Sequence, residues 1–287
     1  MKTRQHIRIN WIRVLIVLFT IHYSLFTVSA KETYGYSDEK PLIIVSDWDF
    51  QPFEFLNNEG KPAGYNIEVL DLIFTRLDIP HKFVTQEWYI ASEMFEKRQA
   101  DLIHALYAYY HMEPYASTKK YINYYTLKVA RLATTPPLNH ISDLTASDTL
   151  ILKRNDYAAL RLNYIDSIPF TREYHTPKDA LTGIRSGRYK YFIWGEIPLA
   201  RKIKELNLDN IILDEIDIPA GELRIIGYNK KLVDIIDDEY TRLEQNGELE
   251  IIHDKWFHPE RVHDDTSPVS LIILLALALA IFAGFLI

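Results

Sequence analysis

Hydrophobic and polar positions alternate along the chain between strand-like and helix-like runs. The apolar run LIIV after Pro41 predicts a buried strand. From Tyr65 the apolar residues of YNIEVLDLIFTRLDI recur at helical spacing, which predicts an amphipathic helix. The segments KFVTQ, WYIASEMFEKRQ and DLIHALYAY continue as strand, helix and strand. This β-α-β-α-β order predicts a parallel sheet with helices on its faces.

A second alternation follows the connecting segment TPPLNHISDL. Its predicted strands are DTLILK, YKYFIW, NIILDEI and ELRIIGYN, with helices between them and two more helices, KLVDIIDDEYTRLEQNG and ELEIIHDKWF, at the end. We therefore predict two α/β lobes, with the terminal helices returning to the first. The predicted boundaries are a lead-in over 31–40, lobe 1 over 41–126, lobe 2 over 127–223, and the return to lobe 1 over 224–258.

Both ends of the chain are apolar, and each pattern predicts a different role. Residues 1–30 combine a basic start, an apolar run and the small residues Val28-Ser29-Ala30, which is typical of a secretory signal peptide; an uncleaved anchor is the alternative. Residues 269–287 carry no charge and are nearly long enough to cross a bilayer, so they predict a transmembrane helix after a polar stalk over 259–268. We expect the front part of a longer receptor, with a C-terminal tail anchor as the alternative.

Composition narrows the possible functions. The chain has 287 residues, 48% hydrophobic and 25% charged, which is typical of a globular protein. The net charge of −7 argues against nucleic acid as a partner. With no cysteine, disulfides, thiolate metal sites and a cysteine nucleophile are excluded. The sequence shows no catalytic acid/base pair, phosphate-binding loop or common metal-ligand spacing, and we expect no cofactor, no metal site and no enzymatic activity.

Polar and aromatic side chains stand where several predicted strands end. Ligands of open α/β sheets bind outside the carboxyl ends of the strands. If the two lobes face each other, these side chains line one cleft. The residues at these strand ends are Asp47, Phe50, Phe53, Tyr107, Tyr109, Lys153, Arg154, Asn155, Asp156, Trp194 and Glu196.

The order of these segments resembles the bacterial extracellular solute-binding proteins of family 3, over about residues 41–258. The resemblance rests on SDWDFQPFEFLNNEGKPAGYNI, which contains D-x-x-F-x-P-F-E-F, and on the ending GELEIIHDKWF. It implies the two-lobed "Venus flytrap" fold of periplasmic binding proteins of type II, an α/β fold with mixed sheets. To that fold the chain would add the C-terminal transmembrane helix.

The resemblance also assigns roles to residues. Asp47 and Phe50 match positions that contact ligand, and Trp88 falls near another contact. Ala105 to Ala108 match a rim that offers backbone and hydroxyl groups.

The chain departs from the family at both usual anchors of an amino acid. The arginine that grips a ligand carboxylate corresponds to Glu113, and the acidic residue for the amino group corresponds to Gly195, with Glu196 one step on. Losing such charge partners disfavours an ordinary α-amino acid ligand. Our hypothesis is that Lys153 and Arg154 hold an anionic group while Glu113 or Asp47 holds a cationic one.

These patterns predict a periplasmic solute-sensing domain, of the kind found in sensor histidine kinases, anchored in the bacterial inner membrane by its C-terminal helix. Its ligand is expected to be a small polar solute. The alternatives are the substrate-binding component of an ABC importer, a flytrap-fold enzyme such as a dehydratase or a transglycosylase fragment, and a flytrap that senses another protein. A homodimer stays open, because the sequence does not set the oligomeric state.

Overall fold

The computed structural model describes residues 34–106, 113–163 and 170–259. The predicted signal peptide, nearly all of the predicted stalk and the apolar segment 269–287 lie outside these residues. Within the described part of the chain, no helix has the length and apolar character needed to span a membrane.

The first lobe is built on a six-stranded mixed sheet. Its strands are β1 (Leu42–Asp47), β5 (His81–Gln86), β6 (Leu102–Leu106), β7 (Ala116–Ser117), β8 (Asn123–Tyr125) and β14 (Gly221–Gly227). Their order is β5-β1-β6-β14-β7, with β8 also paired to β14. β1 pairs in parallel with β5 and β6, whereas β14 is antiparallel to its neighbours.

The second lobe is built on a five-stranded sheet. Its strands are β9 (Leu127–Leu132), β10 (Thr149–Leu152), β11 (Thr171–Tyr174), β12 (Tyr191–Gly195) and β13 (Ile211–Glu215), in the order β11-β10-β12-β9-β13. The central pairs β10–β11 and β10–β12 are parallel, and β9 runs antiparallel to both of its neighbours. The two mixed sheets give the two-lobed α/β fold that the sequence predicts.

Helices cover both sheets. Apolar residues of the first helix, such as Val69 and Ile73, are fully buried, as the helical spacing of the sequence predicts. Thr176 caps the fourth helix by accepting a hydrogen bond from the Asp179 amide at 3.2 Å. The described helices are α1 (Tyr65–Arg76), α2 (Trp88–Glu96), α3 (Tyr157–Leu162), α4 (Pro177–Arg185), α5 (Glu196–Glu205), α6 (Lys230–Gln245) and α7 (Glu248–Phe257), with a short 3-10 turn over Ile141–Asp143.

The chain crosses between the lobes twice. It leaves the first sheet after Tyr125 and enters the second at Leu127, so only Thr126 separates the two sheets. It returns between Glu215 and Gly221, because β14 lies wholly in the first sheet. The predicted return begins at residue 224; in the structure, the chain has already re-entered the first sheet at Gly221.

The last helix docks on the first lobe and also touches the second. Lys255 Nζ lies 2.7 Å from a carboxylate oxygen of Glu68 on α1, and Trp256 Nε1 donates to the same residue at 2.8 Å. From the second lobe, Arg201 donates a hydrogen bond to the Trp256 carbonyl. The C-terminal end of the described chain is thus in contact with both lobes.

Candidate ligand-binding cleft

The motif directly after β1 forms a small sheet at the lobe interface. Its strands are β2 (Asp49–Phe50), β3 (Glu54–Leu56) and β4 (Pro62–Ala63). Gly64 ends this unit at φ 123°, where a Cβ atom would lie 2.4 Å from the Phe53 carbonyl oxygen, so the position requires glycine. The tight turn at Gly64 holds the small sheet against α1.

Phe50 joins the first lobe to the aromatic core of the second. Its ring centroid lies 4.9 Å from Phe53, 5.6 Å from Tyr125 and 6.2 Å from Trp194. Trp194 is fully buried on β12, and Phe50 is 8% exposed. Phe50 therefore packs across the cleft, whereas Phe53 and Phe55 contact Phe257 and Trp256 on α7.

A buried ion pair crosses the cleft between Asp47 and Lys153. Lys153 Nζ donates to Asp47 Oδ2, and both side chains are buried. The same ammonium lies 5.3 Å from the Trp194 ring centroid, within range of a cation–π interaction. Lys153, which the sequence suggested as an anion contact, is therefore neutralised by a residue of the opposite lobe. A second pair, Lys202 to Asp49 at 2.5 Å, also joins the lobes.

Between the lobes lies a cavity of about 230 Å³. Its walls come from the first lobe, from the start of α3 in the second lobe, and from the crossover at Tyr125. The lining residues are Asp47, Phe50, Glu54, Trp88, Ser92, Glu96, His104, Ala105, Tyr125, Asn155, Asp156, Tyr157, Leu160 and Leu223.

One wall of the cavity carries a buried polar network around Asn66. Asn66 Nδ2 donates to Glu54 Oε2 at 3.1 Å and to His104 Nδ1 at 2.5 Å. Burial raises the pKa of Glu54 to about 8 and lowers the pKa of His104 to about 3, so both groups are largely uncharged near neutral pH. His104 Nε2 has no hydrogen-bond partner among the described residues. A buried polar atom in this state favours a ligand contact.

The opposite wall is built around Asp156 and Tyr125. The Tyr125 hydroxyl donates to Asp156 at 2.9 Å and accepts a hydrogen bond from the Gly195 amide at 3.2 Å. Burial raises the pKa of Asp156 to about 6, against the opposing effect of Lys153. A Cβ atom on Gly195 would lie 2.2 Å from the Tyr125 ring, so the ring fills the space next to this glycine. An acidic side chain at position 195 would have no room.

The structure brings together part of the predicted site. Five predicted residues line the central cavity: Asp47, Phe50, Trp88, Asn155 and Asp156. Their role in ligand binding stays a prediction. Tyr107 lies outside the described residues.

Four other predicted residues do not line this cavity. Lys153 and Arg154 line a neighbouring cavity, where the exposed Arg154 guanidinium lies 5.5 Å from the Tyr89 ring centroid and 5.6 Å from that of Tyr174. Glu196 accepts a hydrogen bond from Thr126 at 2.8 Å, at the first crossover. Glu113 is exposed and is not among the residues lining either cavity.

Sequence reasoning missed six polar lining residues: Glu54, Ser92, Glu96, His104, Tyr125 and Tyr157. Glu54 stood inside the quoted motif, but its burial could not be seen there. Ser92 lies on α2, His104 on β6 and Tyr125 on β8, and their positions in these elements give no sign that they face the cavity. Each becomes a candidate contact only when both lobes are in place.

Near the end of α7, the metal-ligating atoms of His253, Asp254 and His258 lie within 4.8 Å of one another. Packing accounts for the position of His253, because its ring stacks on Phe257 with centroids 4.5 Å apart and meets the Tyr65 ring edge-on. We assign no metal to this group.

Replacing Trp88 with phenylalanine should weaken the contact between the lobes. Trp88 Nε1 donates to the Asn155 carbonyl of the second lobe at 2.8 Å, and phenylalanine cannot donate. We expect the free energy of unfolding to fall by about 1 kcal/mol, as for other single hydrogen bonds. Urea denaturation measures it, with Trp48→Phe as the control because Trp48 is 40% exposed. Equal losses in both variants would contradict the expectation.

Comparison with known proteins adds two findings. The family model described as bacterial extracellular solute-binding proteins, family 3, matches residues 42–259. No curated protein sequence matches the chain significantly.

Solved structures share the fold at low sequence identity. A mutant of ArgBP from T. maritima is 16% identical with a TM-score of 0.66, over 79% of this chain and 96% of that one. A substrate-binding protein of an ABC uptake transporter from Streptococcus pneumoniae, with bound histidine, is 18% identical with a TM-score of 0.66, over 80% and 97%. A histidine kinase sensor domain with similarity to periplasmic binding proteins is 20% identical with a TM-score of 0.60, over 76% and 96%.

Proposed function

Because the chain belongs to family 3 of the bacterial extracellular solute-binding proteins, we propose that it is a periplasmic receptor that closes its two lobes on a small polar solute. The observation that carries this proposal is the cavity between the lobes, which is lined by buried polar groups from both. A ligand that touches both lobes has a higher affinity for the closed form and shifts the equilibrium towards it. Neighbouring structures carry bound histidine or arginine, which supports a small polar ligand.

We further propose that the receptor is the input part of a membrane-bound signalling protein. The supporting observation is α7, which contacts Glu68 in the first lobe and Arg201 in the second just before the described chain ends. A change in the angle between the lobes would strain one of these contacts. The movement would then pass through the stalk to the apolar segment 269–287 in the inner membrane.

The second candidate is the substrate-binding component of an ABC importer. It is favoured by the neighbours of that class, such as the histidine-bound protein from Streptococcus pneumoniae. The two candidates differ in how closure is used. Only the signalling function needs the end of α7 to move when ligand binds.

A thermal-shift screen of the full-length chain in detergent tests solute binding. The solutes are amino acids, amines, organic acids, sugars and short peptides. A binder at 100 times its dissociation constant should add about 2.7 kcal/mol of stability. We expect Trp88→Ala, which removes part of the cavity wall, to abolish the shift, while Trp48→Ala retains it. If no solute shifts the melting temperature, the receptor function is wrong.

Spin labels can distinguish the signalling receptor from the importer component. The chain has no native cysteine, so only the introduced cysteines would be labelled. One pair, at Glu59→Cys and Lys178→Cys, lies on exposed positions of opposite lobes and reports closure. A second pair, at Glu59→Cys and His258→Cys, reports the end of α7. Signalling predicts that ligand changes both distance distributions, whereas a change confined to the first pair favours the importer component.

A further inference from the structure

The described lining of the central cavity includes several acidic groups and no cationic side chain. Asp47, Glu54 and Asp156 are buried in its walls, and Glu96 lies at its exposed edge. No lysine or arginine is among the described residues that line it. Lys153 stands next to the cavity, but its ammonium is paired with Asp47. A carboxylate entering this space would lie among carboxyl groups, and the neighbouring ammonium of Lys153 is already paired with Asp47, so the electrostatic cost would be high.

Aromatic rings complete the walls. The lining includes Phe50, Trp88, Tyr125 and Tyr157. The faces of such rings attract organic cations, most strongly where water is excluded. Acidic groups among aromatic rings therefore favour a positively charged ligand over a neutral one.

Asp156 is the best-placed group to bind such a charge. Its side chain is 7% exposed, and Tyr125 is the side chain that donates hydrogen bonds to it. A carboxylate has about four acceptor positions, so it can still accept hydrogen bonds from an ammonium or a guanidinium. A bound cation would also offset the cost of burying this carboxylate, which raises its pKa in the structure.

The other wall offers a donor. Because His104 Nδ1 accepts a hydrogen bond from Asn66, the ring proton is on Nε2, which has no partner among the described residues. This N–H can donate to a hydroxyl or carbonyl oxygen of a ligand. The cavity, at about 230 Å³, is smaller than the ~300 Å³ at which sites for drug-sized molecules begin.

We propose that the cleft selects a small organic cation without a carboxylate, an amine or guanidinium compound, with Asp156 as its main charge partner. This inference rests on the proposed function, since it names the ligand class of the same cleft. It differs from an amino-acid site in that none of the described lining residues offers a positive charge to an α-carboxylate.

Matched pairs of ligands test the proposal. Isothermal titration of the full-length chain would compare agmatine with arginine, putrescine with ornithine, and tyramine with tyrosine, since each pair differs by one carboxylate. We expect at least one amine to bind more than about tenfold more tightly than its parent, a difference of ~1.4 kcal/mol. Equal or tighter binding of the parents, or binding of succinate or glucose instead, would overturn the cation proposal and leave the receptor function standing. If none of these solutes binds, and none in the wider screen does, both fail.

Variants identify the charge partner. Asp156→Asn retains an acceptor for Tyr125 but loses the charge, so amine affinity should fall by at least about tenfold. Asp209→Asn, on an exposed loop, is the matched control and should bind normally. Glu54→Gln provides a second acidic position if Asp156→Asn does not fold, and its loss of amine affinity is expected above pH 8, where Glu54 is ionised. Unchanged affinity in a folded Asp156→Asn protein would overturn the assignment.

The pH profile gives an independent measurement. Asp156 faces Lys153, Tyr125 and Asp47, and Glu54 faces Asp47, Lys153 and His104. Binding a cation requires ionised carboxyl groups, so amine affinity should rise between pH 5 and pH 8, by up to about tenfold per pH unit below the pKa of each group. Asp156→Asn should flatten the lower part of this profile. A flat or falling profile in the unmodified chain would contradict the proposal.

Discussion

Replacing Lys153 with methionine is expected to lower the free energy of unfolding by about 3–5 kcal/mol, the cost of leaving a buried charge without its partner. Lys153 and Asp47 are both more than nine-tenths buried, and they belong to opposite lobes. Methionine retains much of the lysine side-chain volume and the contact with Trp194. The loss of stability therefore measures the effect of removing the charge. If the lobes separate, water solvates Asp47 and part of the cost appears as opening instead of unfolding.

Urea denaturation at neutral pH measures the loss, and the interlobe spin labels detect any opening. The double variant Asp47→Asn/Lys153→Met should recover most of the stability, because no charge is then left unpaired. Lys97→Met is the matched control, since Lys97 pairs with Glu93 on the surface of α2 and such a pair contributes ~0.3–0.5 kcal/mol. A Lys153→Met protein as stable as this control, with its lobes still closed, would show that the pair contributes little.

The second large effect is expected from Gly195→Ala, which should cost about 3 kcal/mol through overpacking. The added Cβ atom would lie 2.2 Å from one carbon of the Tyr125 ring and 2.8 Å from its hydroxyl oxygen. The ring cannot move away easily, because it is buried, packs against Phe50 and is hydrogen-bonded to Asp156.

A double-mutant cycle isolates this contact. In a Tyr125→Leu background, which lacks the clashing atoms, Gly195→Ala should cost less than about 1 kcal/mol. Thermal or urea denaturation of the four proteins gives the coupling energy. Similar costs in both backgrounds would mean that Tyr125 is not what excludes a side chain at position 195.

Much of the architecture was predictable from the sequence. The runs after Pro41 and from Tyr65 carry strand and helix periodicity that matches β1 and α1. Such periodicity depends only on residues a few positions apart, so it can be read from the sequence alone. The resemblance to family 3 was also visible there, and the family match over 42–259 confirms it.

The candidate site was predictable only in part. Asp47 ends β1 and Asp156 lies shortly after β10, and strand ends meet at one edge of a sheet, so their place at the cleft could be expected. The roles of Lys153 and Glu113 could not. Lys153 is paired with Asp47, which is 106 positions away in the sequence, and Glu113 faces solvent.

The sequence by itself determined the two-lobed α/β fold and the family, because both follow from local periodicity and short motifs. Only the tertiary structure decided the chemistry of the cleft. It paired Lys153 with Asp47, placed Tyr125 against Gly195, and left a cavity lined with carboxyl groups and aromatic rings. The physical reason is that ion pairing, exclusion of a side chain and a shifted pKa all depend on distance and burial between residues far apart in the chain.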